Sequence, residues 1–139
     1  MNDLEPIEDL LRDDERLDPG ADLVVRGWPL TVDGLLRNAD ATRSRFILDG
    51  RPFSAISAEV TVDGWTLDSI LGGPRLRTRS RYAAVSVGEL VAAGFGLLPT
   101  FVAPHYSVVL DPYTSERAVQ LLQLLGEVRV NPHHVRRQS

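Results

Sequence analysis

The chain contains no cysteine among its 139 residues. Neither a disulfide framework nor a zinc site built on thiolates can therefore form, which excludes the cysteine-rich secreted scaffolds. No stretch approaches the roughly 18 consecutive apolar residues of a transmembrane helix. Residues 1–20 are acidic where a signal peptide is basic. We expect one soluble, cytoplasmic domain, not bound to a membrane, with a core of its own.

Motifs that mark common active sites are also missing from the sequence. It has no P-loop, no GxGxxG, no GxSxG and no HExxH. Two of the three histidines, His133 and His134, are adjacent, so their side chains diverge and do not form a ligand pair. We expect no metal site and no resident cofactor, and the interpretation leans away from an enzyme.

Lysine is absent as well, and all 15 basic residues are arginine, a bias typical of GC-rich genomes. Residues 1–22 hold nine acidic residues and two arginines, a local charge of −7, whereas the remainder carries +3. This pattern predicts an acidic N-terminal arm over residues 1–20, either solvated or lying on the basic body. Its apolar residues at 4, 7, 10 and 11 have helical spacing, and Asp18-Pro19-Gly20 marks its end.

The longest apolar segment, residues 81–110, predicts a strand over 82–85, a helix from Val87, and strands over 96–101 and 105–110. Ser86 and Glu89 have the spacing of a capping box, and Gly94 closes the helix. We interpret these three strands as the centre of the sheet.

The same kinds of signal occur in the first half of the body. They predict a strand over 22–26 and a helix from the cap Thr31 through Ala39. A hairpin over 45–62 follows, with Asp49-Gly50 as its type I′ turn, and then a short helix capped by Thr66. In the second hairpin strand apolar residues alternate with Ser57, Glu59 and Thr61, so one face is core and the other is wet or functional.

The C-terminal part predicts a helix over 113–125, begun by Asp111-Pro112 and ended by Gly126, and an edge strand over 128–130. The fold class is α+β: a single domain with a mostly antiparallel sheet shared by the 45–62 hairpin and the 82–110 strands, and three to four helices packed on it. The domain proper spans 21–130, and a polar tail spans 131–139.

Four arginines alternate with other residues in RLRTRSRY, at Arg75, Arg77, Arg79 and Arg81. In an extended chain all four guanidinium groups would project from one face and could grip phosphates or nucleic acid. An edge strand protected from aggregation by charge would give the same pattern. No aromatic residues interleave with them as platforms for base stacking.

A second group of candidates is Arg26, Ser57 and His105. His105 begins a strand beside a turn, a common place for a site residue. Arg26 in VVRG, followed by a helix and by the serines of FSAIS, resembles the layout of ADP-ribosyltransferase-like toxins. The resemblance implies that Arg26 holds a phosphate of NAD. If the protein is an enzyme, we expect Arg26, Ser57 and His105 to be its catalytic residues. That family carries a glutamate on a late strand, and the sequence offers there only Asp111.

Three functions follow from these features. The favoured one is a small protein-interaction module whose partner is another protein, since no set of acid, base and nucleophile is visible. We expect this module to be one member of a toxin–antitoxin or defence operon pair. The stretch LLPTF…PHYSVVL and the arginine-only basicity resemble short actinobacterial proteins, some of them from mobile or defence loci, and this resemblance implies no particular activity. The alternatives are an NAD-using toxin and a phosphate or nucleic-acid binder. Convergence of Arg26, Ser57 and His105 on one cleft would favour the enzyme.

Overall fold

The computed structural model describes residues 5–6, 17–26, 30–44, 46–48, 51–52, 54–62, 64–99 and 104–134. Within these ranges the strands are β1 (Glu5–Pro6), β2 (Asp22–Arg26), β3 (Phe46–Leu48), β4 (Arg51–Pro52), β5 (Ala55–Val60), β6 (Arg81–Ser86), β7 (Leu97–Pro99), β8 (His105–Val109) and β9 (Arg129–Val130). The helices are α1 (Val32–Arg43), α2 (Leu67–Leu71), α3 (Val87–Ala92) and α4 (Ser115–Leu125). None of these helices has both the length and the apolar character needed to cross a membrane.

Six strands form an open antiparallel sheet in the order β7-β8-β5-β2-β6-β9. The short strands β1, β3 and β4 form a separate sheet in which β1 runs parallel to β3. The four helices pack against the large sheet. The α+β class and the mostly antiparallel sheet are confirmed.

The centre of the large sheet differs from the prediction. We expected the three strands of residues 82–110 there, but β2 and β5 are central and β7 is an edge strand. β2 suits the centre because three successive residues, Leu23, Val24 and Val25, are buried, so both of its faces are covered. The three residues of β7 are only half-buried, as an edge position allows.

The predicted 45–62 hairpin is divided between the two sheets. β3 and β4 pair as a hairpin, with Ile47 opposite Pro52 and Leu48 opposite Arg51, but β5 belongs to the large sheet. Pro52 has no N–H to donate, so a ladder cannot run through it as an unbroken strand. The expected turn residues Asp49 and Gly50 lie outside the described residues.

Three of the predicted helix caps are confirmed. The hydroxyls of Thr31, Thr66 and Ser86 accept hydrogen bonds from the backbone N–H groups three residues later. α1 continues to Arg43, beyond the expected Ala39. α4 begins later than predicted, because its cap is the hydroxyl of Thr114 and not Asp111-Pro112.

The N-terminal arm departs from its expected helix. Glu5 and Pro6 form β1 and pair with Phe46 and Ile47, so the helix predicted from the spacing of the apolar residues is wrong at these two positions. The other residues between 4 and 11 lie outside the described residues. The turn at its end is confirmed, since Asp18 accepts from the N–H of Gly20. This turn contacts the body, because the carbonyl of Pro19 accepts from the N–H of Gly88 at 3.0 Å.

The two faces of the large sheet bury two separate cores. α1, α3 and α4 cover the first face, where Leu35, Leu90 and Leu121 pack on inward residues of the strands. α2 and the loop 72–79 cover part of the second face, around Val24 and Leu71. The candidate site lies on the part of the second face that these described elements leave uncovered.

Candidate anion-binding site

The site lies where the two central strands separate. β2 and β5 pair at Leu23 with Val60 and at Val24 with Glu59, and the described ladder ends there. Arg26 and Ser57 lie beyond this point, on opposite sides of the gap. A cleft of about 280 Å³ opens between them, which we call the arginine cleft. It is lined by Val24, Arg26, Asn38, Ser57, Ala58, Glu59, Arg75, Leu76 and Arg79.

The gap reaches from one face of the sheet to the other. Asn38 belongs to α1, which covers the first face, yet it lines the arginine cleft of the second face. A small cavity against α1 is also lined by Arg26, Asn38 and Ser57. An amide, a hydroxyl and a guanidinium group thus line the gap from both sides, and all three can donate hydrogen bonds.

Three guanidinium groups dominate the charge of the arginine cleft. Arg26, Arg75 and Arg79 line it, and Glu59 is the one acidic residue among its described lining residues. Burial lowers the pKa of Arg26, and the nearby positive charge of Arg79 lowers it further. Because an arginine stays protonated in proteins, this repulsion persists until an anion enters.

The loop 72–79 places Arg75 and Arg79 and is not extended. The N–H groups of Leu76 and Arg77 donate to the carbonyl of Gly73, and that of Arg79 donates to the carbonyl of Leu76. These turns follow from Gly72-Gly73-Pro74, which breaks α2 and starts a tight chain reversal. The expected projection of four arginines from one extended face is therefore wrong. All four arginines are exposed, but Arg75 and Arg79 line the cleft and Arg77 and Arg81 are not among its lining residues.

Asn131 holds this loop in place. Its side-chain amide donates to the carbonyls of Leu71, Leu76 and Arg79 at 3.0 to 3.1 Å, and its oxygen accepts from the N–H of His133. With two N–H bonds for three acceptors, one of these contacts is shared. The sequence places Asn131 in a polar tail, but the residue is only 3% exposed and belongs to the body.

Glu59 is a site residue that no motif in the sequence marks. It is 7% exposed, and its Oε1 lies 3.6 Å from Nε of Arg75. Burial raises the pKa of Glu59 to about 7, although the charge of Arg75 opposes that rise. The alternation of residues in its strand predicts that Glu59 lies on the wet or functional face. The sequence does not indicate that α2 and the loop 72–79 cover this side chain.

A second cleft, of about 190 Å³, lies on the other side of Arg75 and shares Glu59 with the arginine cleft. Its lining is mostly apolar, so we call it the apolar cleft. It is formed by Glu59, Trp65, Ser69, Ile70, Gly73, Pro74, Arg75 and Pro104. Glu59 thus stands between a cationic cleft and an apolar one.

The three catalytic candidates converge in part. Arg26 and Ser57 line the same cleft. His105 is 2% exposed and stands opposite Glu59 in the ladder between β5 and β8, on the same face but not among the residues that line the cleft. Asp111, which precedes α4, is exposed and likewise does not line it.

Across the described ranges no group of three or more histidine or acidic side chains is placed to hold a metal ion. Comparison of the chain with protein-family models, curated proteins and solved structures gave no match.

Proposed function

We propose that this protein binds phosphate-bearing small molecules in the arginine cleft. The observation that carries the proposal is the convergence of Arg26, Arg75 and Arg79 on the gap between β2 and β5. Guanidinium groups match the oxygens of phosphate in pairs, and charge-assisted hydrogen bonds of this kind are the strong ones. The cleft, at about 280 Å³, is near the lower end of the range of small-molecule sites, which begins at roughly 300 Å³.

The charge state of Glu59 supports the same ligand class. With its pKa at about 7, this carboxyl is ionised in about half of the molecules at neutral pH, so on average it offsets about half of one positive charge out of three. The repulsion between Arg26 and Arg79 is relieved by a bound anion. Asn38 and Ser57 add neutral donors, which suits the several oxygens of a phosphate or diphosphate.

The test is calorimetric titration of the full chain with inorganic pyrophosphate at low ionic strength. We expect saturable binding that weakens about tenfold or more in Arg26→Ala and in Arg79→Ala, because each removes a charged hydrogen-bond donor. Arg77→Ala is the matched control, since it removes the same charge from a position in the same loop that does not line the cleft. Equal weakening in all three variants, or none in any, would contradict the proposal.

NAD, the ligand that the resemblance to ADP-ribosyltransferase-like toxins implies, belongs in the same titration. That Arg26 and Ser57 line one cleft supports NAD as a ligand, whereas Glu59 lies on the strand of Ser57 and not on a late strand. The protein-interaction module expected from the sequence stays a separate prediction, which a phosphate site neither requires nor opposes.

A further inference from the structure

The two clefts are neighbours that share two side chains. Glu59 and Arg75 line both the arginine cleft and the apolar cleft. A ligand that fills both must therefore have an anionic end and an apolar end joined by a short linker. Phosphorylated nucleosides have this construction, because the ribose joins a flat base to the phosphates.

The apolar cleft has walls that suit a flat ring. Trp65 is half-buried and presents part of an aromatic side chain, and Ile70, Pro74 and Pro104 supply further apolar surface. Aromatic side chains bind nucleobases by stacking, and this contact is largely independent of which base is stacked. The walls alone would therefore accept any base.

Glu59 supplies a reason for selection. Among the described residues, its buried Oε2 has no hydrogen-bond partner. Its Oε1 lies 3.6 Å from Nε of Arg75, which is longer than a charge-assisted hydrogen bond of about 2.7–2.9 Å. A buried acceptor without a donor is costly, so a ligand that brings N–H groups to this carboxylate recovers that cost.

We propose that the ligand of this site is a guanine nucleotide, with its phosphates in the arginine cleft and its base in the apolar cleft, where two N–H groups of the base donate to Glu59. Guanine is the best match because its ring N–H and its amino group lie side by side, as do the two oxygens of a carboxylate. Adenine offers its amino group beside a ring acceptor, which faces the carboxylate unfavourably. This inference rests on the phosphate binding proposed above and names the ligand class for that site.

The test compares pyrophosphate, GDP, IDP and ADP in calorimetric titrations of the full chain. All four carry a diphosphate, and IDP differs from GDP by the missing amino group alone. We expect GDP to bind about tenfold or more tighter than ADP, with IDP between them and pyrophosphate weakest, because every base stacks but only guanine brings two N–H groups to Glu59. GDP binding no tighter than pyrophosphate or ADP would overturn the inference and leave phosphate binding intact.

Two variants show whether the base contacts the proposed residues. Glu59→Gln keeps the size of the side chain but replaces one acceptor with a donor and leaves the stacking wall intact, so it should bring the affinity for GDP to within about threefold of that for ADP. Trp65→Ala removes the stacking wall and should weaken GDP but not pyrophosphate. An unchanged preference for GDP in both variants would overturn the inference, whereas loss of pyrophosphate binding in Arg26→Ala tests the phosphate site separately.

Discussion

The buried carboxyl of Glu59 makes the stability of the protein depend on pH in a defined direction. Its pKa is about 7 in the folded protein and near 4.5 when the group is solvated as in the unfolded chain. The folded state therefore holds the proton more tightly than the unfolded state does. The contribution of this group to the free energy of unfolding is greatest below pH 4.5, falls as the pH rises through 7, and is constant above that.

The magnitude follows from the two pKa values. At about 1.4 kcal/mol per pKa unit, a rise from 4.5 to about 7 corresponds to a loss of about 3 kcal/mol between acidic and alkaline pH. Glu59→Gln removes this titration and keeps the volume of the side chain. Its buried amide costs about 1–2 kcal/mol where it lacks a partner, but that cost is the same at every pH.

The assay is thermal or urea unfolding of the wild type and of Glu59→Gln between pH 4.5 and 8.5. The variant should gain about 3 kcal/mol relative to the wild type across this range, which is roughly 10 °C in Tm for a domain of this size. Glu127→Gln is the control, since it removes a carboxylate from an exposed position outside both clefts. If the difference between Glu59→Gln and the wild type stayed constant with pH, the burial of this carboxyl would be refuted.

Two further predictions concern the parts that hold the site. Asn131→Ala should release the loop 72–79, since three carbonyls lose their donor. We expect the free energy of unfolding to fall by about 1–3 kcal/mol, with faster hydrogen exchange over that loop and weaker pyrophosphate binding. Unchanged exchange would contradict the role of Asn131. Leu121→Ala should cost about 2–4 kcal/mol in urea unfolding, because Leu121 is 1% exposed. Leu122→Ala should cost less, as this side chain is half-buried, and an equal cost for both would contradict the packing of α4.

Much of the fold could be predicted because its signals are local. The caps at Thr31, Thr66 and Ser86 depend on a hydroxyl and the next turn of chain, and all three are confirmed. Strand order depends on contacts between distant segments, which explains why β2 and β5 were not recognised as the centre. A run of three buried apolar residues in β2 was the available signal.

The sequence indicates several residues of the candidate site but not how the fold brings them together. Arg26 and Ser57 were named from the sequence, and they line one cleft. Arg75 and Arg79 were also candidates, but as two of four arginines on one extended face. The alternation in sequence does not indicate that the chain turns at Gly73, and this turn separates the four side chains. Glu59 acquires its burial and raised pKa from residues far away in sequence.

The central claim is that the gap between β2 and β5 is an anion site formed by three particular arginines. The most direct measurement is an NMR titration that follows the side-chain Nε–H signals of the arginines as pyrophosphate is added. The account predicts saturable shifts for Arg26, Arg75 and Arg79, with those of Arg77 and Arg81 nearly constant. Equal, non-saturating shifts of all five signals would show unspecific attraction to basic surface and would contradict the account.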